Sequence, residues 1–138
     1  MNQTYDVIGF LNHTTRPGKK NRAVFEEYWA PATVVLSGVP TKADLLELVS
    51  LLLFESIRIP MTFGYASCHP DDQFVRKAGV EAANKKAIVI DFKLKSILMS
   101  KDRTLAIFSS ANWVVSVEYK EGSKGPKLSD CHKNRHGV

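Results

Sequence analysis

The stretch from residue 87 to residue 120 limits the fold more than any other part of the chain. Residues 87–92, 103–108 and 112–120 are short runs rich in Val, Ile, Phe and Tyr, parted by polar turns at residues 100–102 and 109–112. Turns that short join antiparallel neighbours, so a C-terminal β-meander is expected. Period-two alternation then sorts the side chains onto two faces. Leu94, Leu98, Ala106, Phe108, Trp113, Val115, Val117 and Tyr119 fall on one face, which must be core. Lys93, Lys95, Ile97, Arg103, Leu105, Ile107, Val114, Ser116 and Glu118 fall on the other. In this register Arg103 lies opposite Glu118 as a cross-strand ion pair. The second face mixes cations with apolar groups, which suits a phosphate-bearing ligand or a protein partner. The bland alternative is long lysine stems covering Ile97 and Ile107.

Upstream, residues 5–11 read as a first strand and residues 12–21 as a polar, basic loop turning at Pro17 and Gly18. Residues 22–30 suggest a short helix carrying Val24, Phe25, Tyr28 and Trp29, ended by Pro31. Residues 33–36 make a β-branched strand. Thr41, with Asp44 three residues on, marks a helix N-terminus. The leucines that follow at helical spacing, with Leu51 and Phe54 widening the stripe, predict a helix buried on much of its circumference. Residues 58–66 are strand-like. Pro70 opens a further helix, with Asp71 and Asp72 in its first turn and Lys85 and Lys86 in its last, as the helix dipole favours. Its small residues Ala78, Gly79 and Ala82 permit close approach to another element. Residues 121–138 are polar, basic and punctuated by Gly and Pro, and read as a mobile tail.

The order implies an α+β fold: a two-layer sandwich, mainly antiparallel, with the C-terminal meander and two to three helices on one face. The expected organisation is one globular domain over residues 1–120 and a basic tail over 121–138. A chain of 138 residues, 44% hydrophobic and 24% charged, supports one real core and excludes a disordered chain. Two cysteines exclude a disulfide-dense scaffold. The first ten residues lack the basic and apolar regions of a signal peptide, and no apolar run is long enough for a membrane span. A cytoplasmic setting with reduced Cys68 and Cys131, and no membrane partner, is therefore expected.

The formal charge is +5, and it is unevenly spread. Residues 1–92 hold ten basic and ten acidic groups, whereas residues 93–138 hold nine basic and four acidic. A domain charged on one part of its chain can present a positive side to an anion. Arg16, Lys19, Lys20 and Arg22 add four cations before an expected helix, where they and helix amides could meet one phosphate. The glycine spacing is not that of a Walker A loop.

Other candidates weigh less. Cys68, His69, Cys131, His132 and His136 are the soft ligands, but no C-x-x-C is present and zinc needs three or four convergent groups. Asp71 and Asp72 diverge as helix neighbours, and Asp91 in an apolar strand must sit at an edge or pair with a cation such as Lys86. His13 is equally ambiguous. Trp29, Trp113, Tyr28, Tyr65 and Tyr119 lie in apolar stripes and read as core rather than as stacking platforms. No catalytic set and no cofactor is expected. The sequence points to a small basic protein that binds nucleic acid or a nucleotide-like phosphate ligand, with Arg16, Lys19, Lys20, Arg22, Lys93, Lys95 and Arg103 as ligand-binding residues. A protein-interaction or inhibitor module, self-association as a homo-oligomer, and a small enzyme with a site shared between subunits are the alternatives.

Overall fold

The computed structural model describes residues 3–12, 14–17, 25–28, 31–53, 56–68 and 73–134, with backbone course alone for 14–17 and 25–28. The elements are β1 (Thr4–Leu11), β2 (Thr14–Pro17), β3 (Phe25–Tyr28), β4 (Ala32–Pro40), α1 (Lys42–Leu51), β5 (Arg58–Ser67), α2 (Arg76–Lys85), β6 (Ile88–Met99), β7 (Arg103–Ser109), β8 (Trp113–Lys120) and β9 (Lys127–Lys133). Seven strands form one antiparallel sheet in the order β1-β4-β5-β6-β7-β8-β9, and β2 pairs with β3 as a separate hairpin.

That sheet curls into a nearly closed barrel, so the expected two-layer sandwich is wrong. Three local facts separate the observed fold from the expected one. Residues 25–28, read within a helix, are strand β3, because Phe25–Tyr28 pairs with Thr14–Pro17. Lys127–Lys133, read within a mobile tail, is strand β9 on the edge of β8. Finally, β6 changes partner along its length: β5 pairs with Arg58↔Lys93 through Phe63↔Ile88, and β7 takes over from Lys93↔Ser109 to Met99↔Thr104. Such staggered register coils a sheet towards closure.

Seven alternating strands leave the first and last running the same way. At the seam β1 and β9 therefore lie side by side in parallel, and no ladder joins them among the described residues. The approach is close. A Cβ on Gly9 would fall inside the Leu128 side chain, and one on Gly125 would stand 3.2 Å from the Tyr5 ring. Gly38 is the extra residue of a bulge in β4, since Tyr5 faces Val39 while Asp6 faces Ser37; its φ of +85° suits glycine.

The inward faces fill the barrel. Phe92, Phe108, Leu36, Ile59, Met61, Leu94, Val115 and Val117 are fully buried there. Helix α1 starts as expected, with the Asp44 N–H donating to Thr41 Oγ1 at 3.1 Å. It closes one end of the barrel through Leu45, which joins the core. The expectation of burial around most of the helix is not met: Leu51 is 71% exposed, and Leu53, expected to continue the stripe, lies beyond the end of the helix and is exposed as well. At the same end Tyr119 O–H donates to the Pro40 carbonyl at 2.8 Å. Burial holds this phenol above its ordinary pKa, and nearby Tyr5 adds to the effect.

Helix α2 lies outside the barrel on β4 and β5, packing its buried Ala83 against Val35 and Ala66. It begins at Arg76, six residues after Pro70, and Asp71 and Asp72 lie outside the described residues. Gly64 and Gly79 permit the contact: a Cβ at Gly64 would strike the Ala83 carbonyl, and one at Gly79 would strike Thr33 Oγ1. At the end of the barrel opposite α1, Trp113 packs 4.6 Å from Tyr65 and 5.0 Å from Phe63 between ring centroids. Lys133 Nζ stands 4.2 Å from the Trp113 centroid.

Candidate functional surface on the outer face of β5 to β9

The outward residues of β5 to β9 follow from pairing alone. One row across the sheet reads Arg58, Lys93, Ser109, Val114, His132. The next reads Ser96, Ile107, Ser116, Asp130. A third reads Leu98, Leu105, Glu118, Lys127, and a fourth pairs Arg103 with Lys120. These rows thus have a basic end, a middle of serines and aliphatics in which Ser109 and Ser116 are themselves buried, and a second basic end.

At the first end, Arg58 stands directly opposite Lys93. The Leu94 N–H donates to the Ile57 carbonyl at 3.2 Å, so Ile57 and Leu94 form a hydrogen-bonded pair. The adjacent Arg58–Lys93 pair is then of the non-hydrogen-bonded kind, in which side chains stand closer. Two cations facing each other in this way work against stability. Lys95 is beside them and exposed, at a bulge between Leu94 and Ser96. Asp91 is exposed on the same face, opposite Pro60, which explains how an acid sits in an apolar strand.

At the second end, Arg103 Nη1 lies 3.4 Å from Glu118 Oε2, the pair expected from sequence. The register is two residues away from the expected one: Arg103 faces Lys120 directly, and Glu118 is its diagonal neighbour. A slip of two keeps every side chain on its face. Glu118 also lies opposite Lys127 on β9 in the register. Between Arg103 and the Leu98–Leu105 row runs an open groove of about 380 Å³, lined by Leu98, Met99, Ser100, Leu105, Glu118 and Ser129. Leu98, expected in the core, is 57% exposed in its wall. The Lys95 bulge is the cause: it reverses the alternation, so Ile97 turns to the core instead.

The expected ligand-binding residues are therefore split. Lys93 and Lys95 share one end with Arg58. Arg103 is six strand positions from Ser109, the partner of Lys93, or roughly 20 Å away at the usual strand rise. Arg16, Lys19, Lys20 and Arg22 have side chains outside the described residues, as do His13, Trp29, His69 and His136. Sequence reasoning missed Arg58, Lys120 and Lys127. Arg58 was readable as an outward position between the inward Ile57 and Ile59; the other two needed the β8–β9 pairing.

His132 Nδ1 lies 3.2 Å from Asp130 Oδ2. Cys131 is buried inside the barrel, and burial, with the Asp130 carboxylate adding, raises its thiol pKa, the opposite of a reactive thiolate. Among the described residues no three His, Cys, Asp or Glu side chains gather as metal ligands. No described helix is long and apolar enough to cross a membrane. Compared with protein-family models, curated proteins and solved structures, the chain shows no match.

Proposed function

We propose that this chain is a small basic protein that binds an anionic partner through the outer face of β5 to β9, with nucleic acid as the ligand class. One observation carries the reading: Arg58 and Lys93 are held in direct register, with Lys95 beside them. A folded chain gains nothing from like charges at such a position, whereas an anion laid between them turns repulsion into attraction. Arg103, Lys120 and Lys127 extend the positive surface, and Asp91, Glu118 and Asp130 leave it cationic on balance. Cations spread over roughly 20 Å of sheet match several successive phosphates, more than a single nucleotide offers.

The test is fluorescence anisotropy with labelled single-stranded and duplex oligonucleotides across a salt series. Six phosphate contacts would give a slope of log K against log salt of about −4 for single strands and about −5 for duplex. A slope near zero, or no binding at low salt, refutes the reading. A second reading, a protein-binding module, is favoured by the exposed Leu98 and Met99 beside Arg103. It predicts capture of a protein partner that survives nuclease and is lost on Leu98→Ser.

A further inference from the structure

At the end of the barrel that α1 closes, the turn between β8 and β9 folds back over β1. Its course is fixed by its own hydrogen bonds. Glu121 N–H donates to the Asp102 carbonyl at 3.0 Å, and the Ser123 hydroxyl donates between the Lys120 and Gly125 carbonyls, 3.0 Å and 3.1 Å away. Gly125 lies against the Tyr5 ring, which a side chain there would crowd. Between this turn, Tyr5 and the start of α1 is an open pocket of about 340 Å³. That is the size of a small-molecule site, with walls already in place.

The lining joins rings to charges. Tyr5, Tyr119 and Pro126 supply the rings, Lys42 of α1 and Lys120 of β8 supply ammonium groups, and Glu121 is the one acid among the described residues that line it. Two cations against one carboxylate leave a net charge of one positive unit. The two phenols differ. Tyr119 O–H is engaged by the Pro40 carbonyl. Tyr5 is half-buried, and among the described residues its hydroxyl has no hydrogen-bond partner. A free phenol donor and two ammonium groups, from three elements distant in sequence, thus border one small space.

We propose that this pocket binds the carboxylate of a small organic acid. The carboxylate oxygens accept from the Tyr5 hydroxyl and from the Lys42 and Lys120 ammonium groups. Its single negative charge matches the net charge of the lining, and its apolar body rests on Pro126 and the tyrosine rings. Lys120 also belongs to the β5–β9 surface, whereas Lys42 and Tyr5 do not, so the two sites can be tested apart.

The test is titration of the ¹⁵N-labelled protein with sodium benzoate, against its neutral isostere benzamide and against sodium chloride at matched ionic strength. Saturable shifts at the Tyr5, Lys42, Glu121 and Gly125 amides are expected with benzoate alone. Tyr5→Phe, which keeps the ring, should weaken benzoate binding about ten-fold, as loss of one hydrogen bond to a charged group implies. Lys42→Gln, at an exposed position, should weaken it about three-fold and keep the wild-type spectrum elsewhere. Lys93→Gln, on the β5–β9 face, should leave it unchanged. The proposal is overturned by the absence of saturable shifts with benzoate, by equal affinity for benzamide, or by shifts that sodium chloride reproduces. Benzoate affinity unaltered in either Tyr5→Phe or Lys42→Gln overturns it too.

Discussion

Removing a cation from the Arg58–Lys93 pair should stabilise the fold while weakening its grip on an anion. In a non-hydrogen-bonded antiparallel pair the Cα atoms stand about 4.5 Å apart, and long side chains splay their charged ends to roughly 7 Å. At that separation in water the repulsion is about 0.6 kcal/mol. Screening reduces this to about 0.5 kcal/mol at 10 mM salt and about 0.25 kcal/mol at 0.15 M. Arg58→Gln, Lys93→Gln and the double variant form a cycle that isolates the pair from Asp91 and other neighbours. Urea unfolding at low salt should give a coupling energy near 0.5 kcal/mol with the sign of a repulsion, shrinking as salt is added. In parallel, each single variant should lower oligonucleotide affinity and flatten the salt slope by about 0.9 for duplex. A favourable coupling, or one indifferent to salt, would refute the electrostatic argument. Unchanged oligonucleotide binding alongside a repulsive coupling would leave the pair a mere defect of the surface.

Two further outcomes test the fold. Leu45→Ala, which empties the residue closing the barrel end, should cost about 2–5 kcal/mol in urea unfolding, whereas Leu51→Ala on the same helix should change stability by no more than about 0.5 kcal/mol; equal effects would show that α1 is not seated as described. Stability should also fall in alkali. Tyr119 and Cys131 hold their protons more tightly folded than unfolded, so unfolding releases protons once pH exceeds about 8.5 for the thiol and about 10 for the phenol. The contribution is whole below those values and is lost as pH rises, at about 1.4 kcal/mol per pH unit for each group. Urea midpoints measured from pH 7 to 10.5 check this, and Tyr119→Phe should flatten the decline above pH 10; a midpoint independent of pH would contradict the burial of both groups.

Much of the inner surface was legible from alternation. Ala106, Phe108, Val115, Val117 and Tyr119 face the core as their spacing requires, and the Thr41 cap begins α1 where the residue pattern put it. The failures have specific causes. The 22–30 segment carried apolar residues at helical spacing, but Phe25–Tyr28 gains a ladder with β2 that outweighs that weak local preference. The tail from residue 121 looked mobile because it is polar, basic and punctuated by Gly122, Gly125 and Pro126, yet those residues form the turn that delivers Lys127–Lys133 to β8. For the basic surface, position late in the chain was a poor guide to neighbourhood: Lys93 has directly opposite it Arg58, which belongs to the charge-balanced first part.

The amino-acid order alone determined the face each residue of β7 and β8 takes, the start of α1 and the excess of positive charge, because these depend on spacing within a few residues. Tertiary structure decided that the sheet closes, which cations become neighbours, and that Leu98 rather than Ile97 meets solvent. Those outcomes rest on register between distant strands, and a single bulge residue such as Lys95 reverses every side chain beyond it.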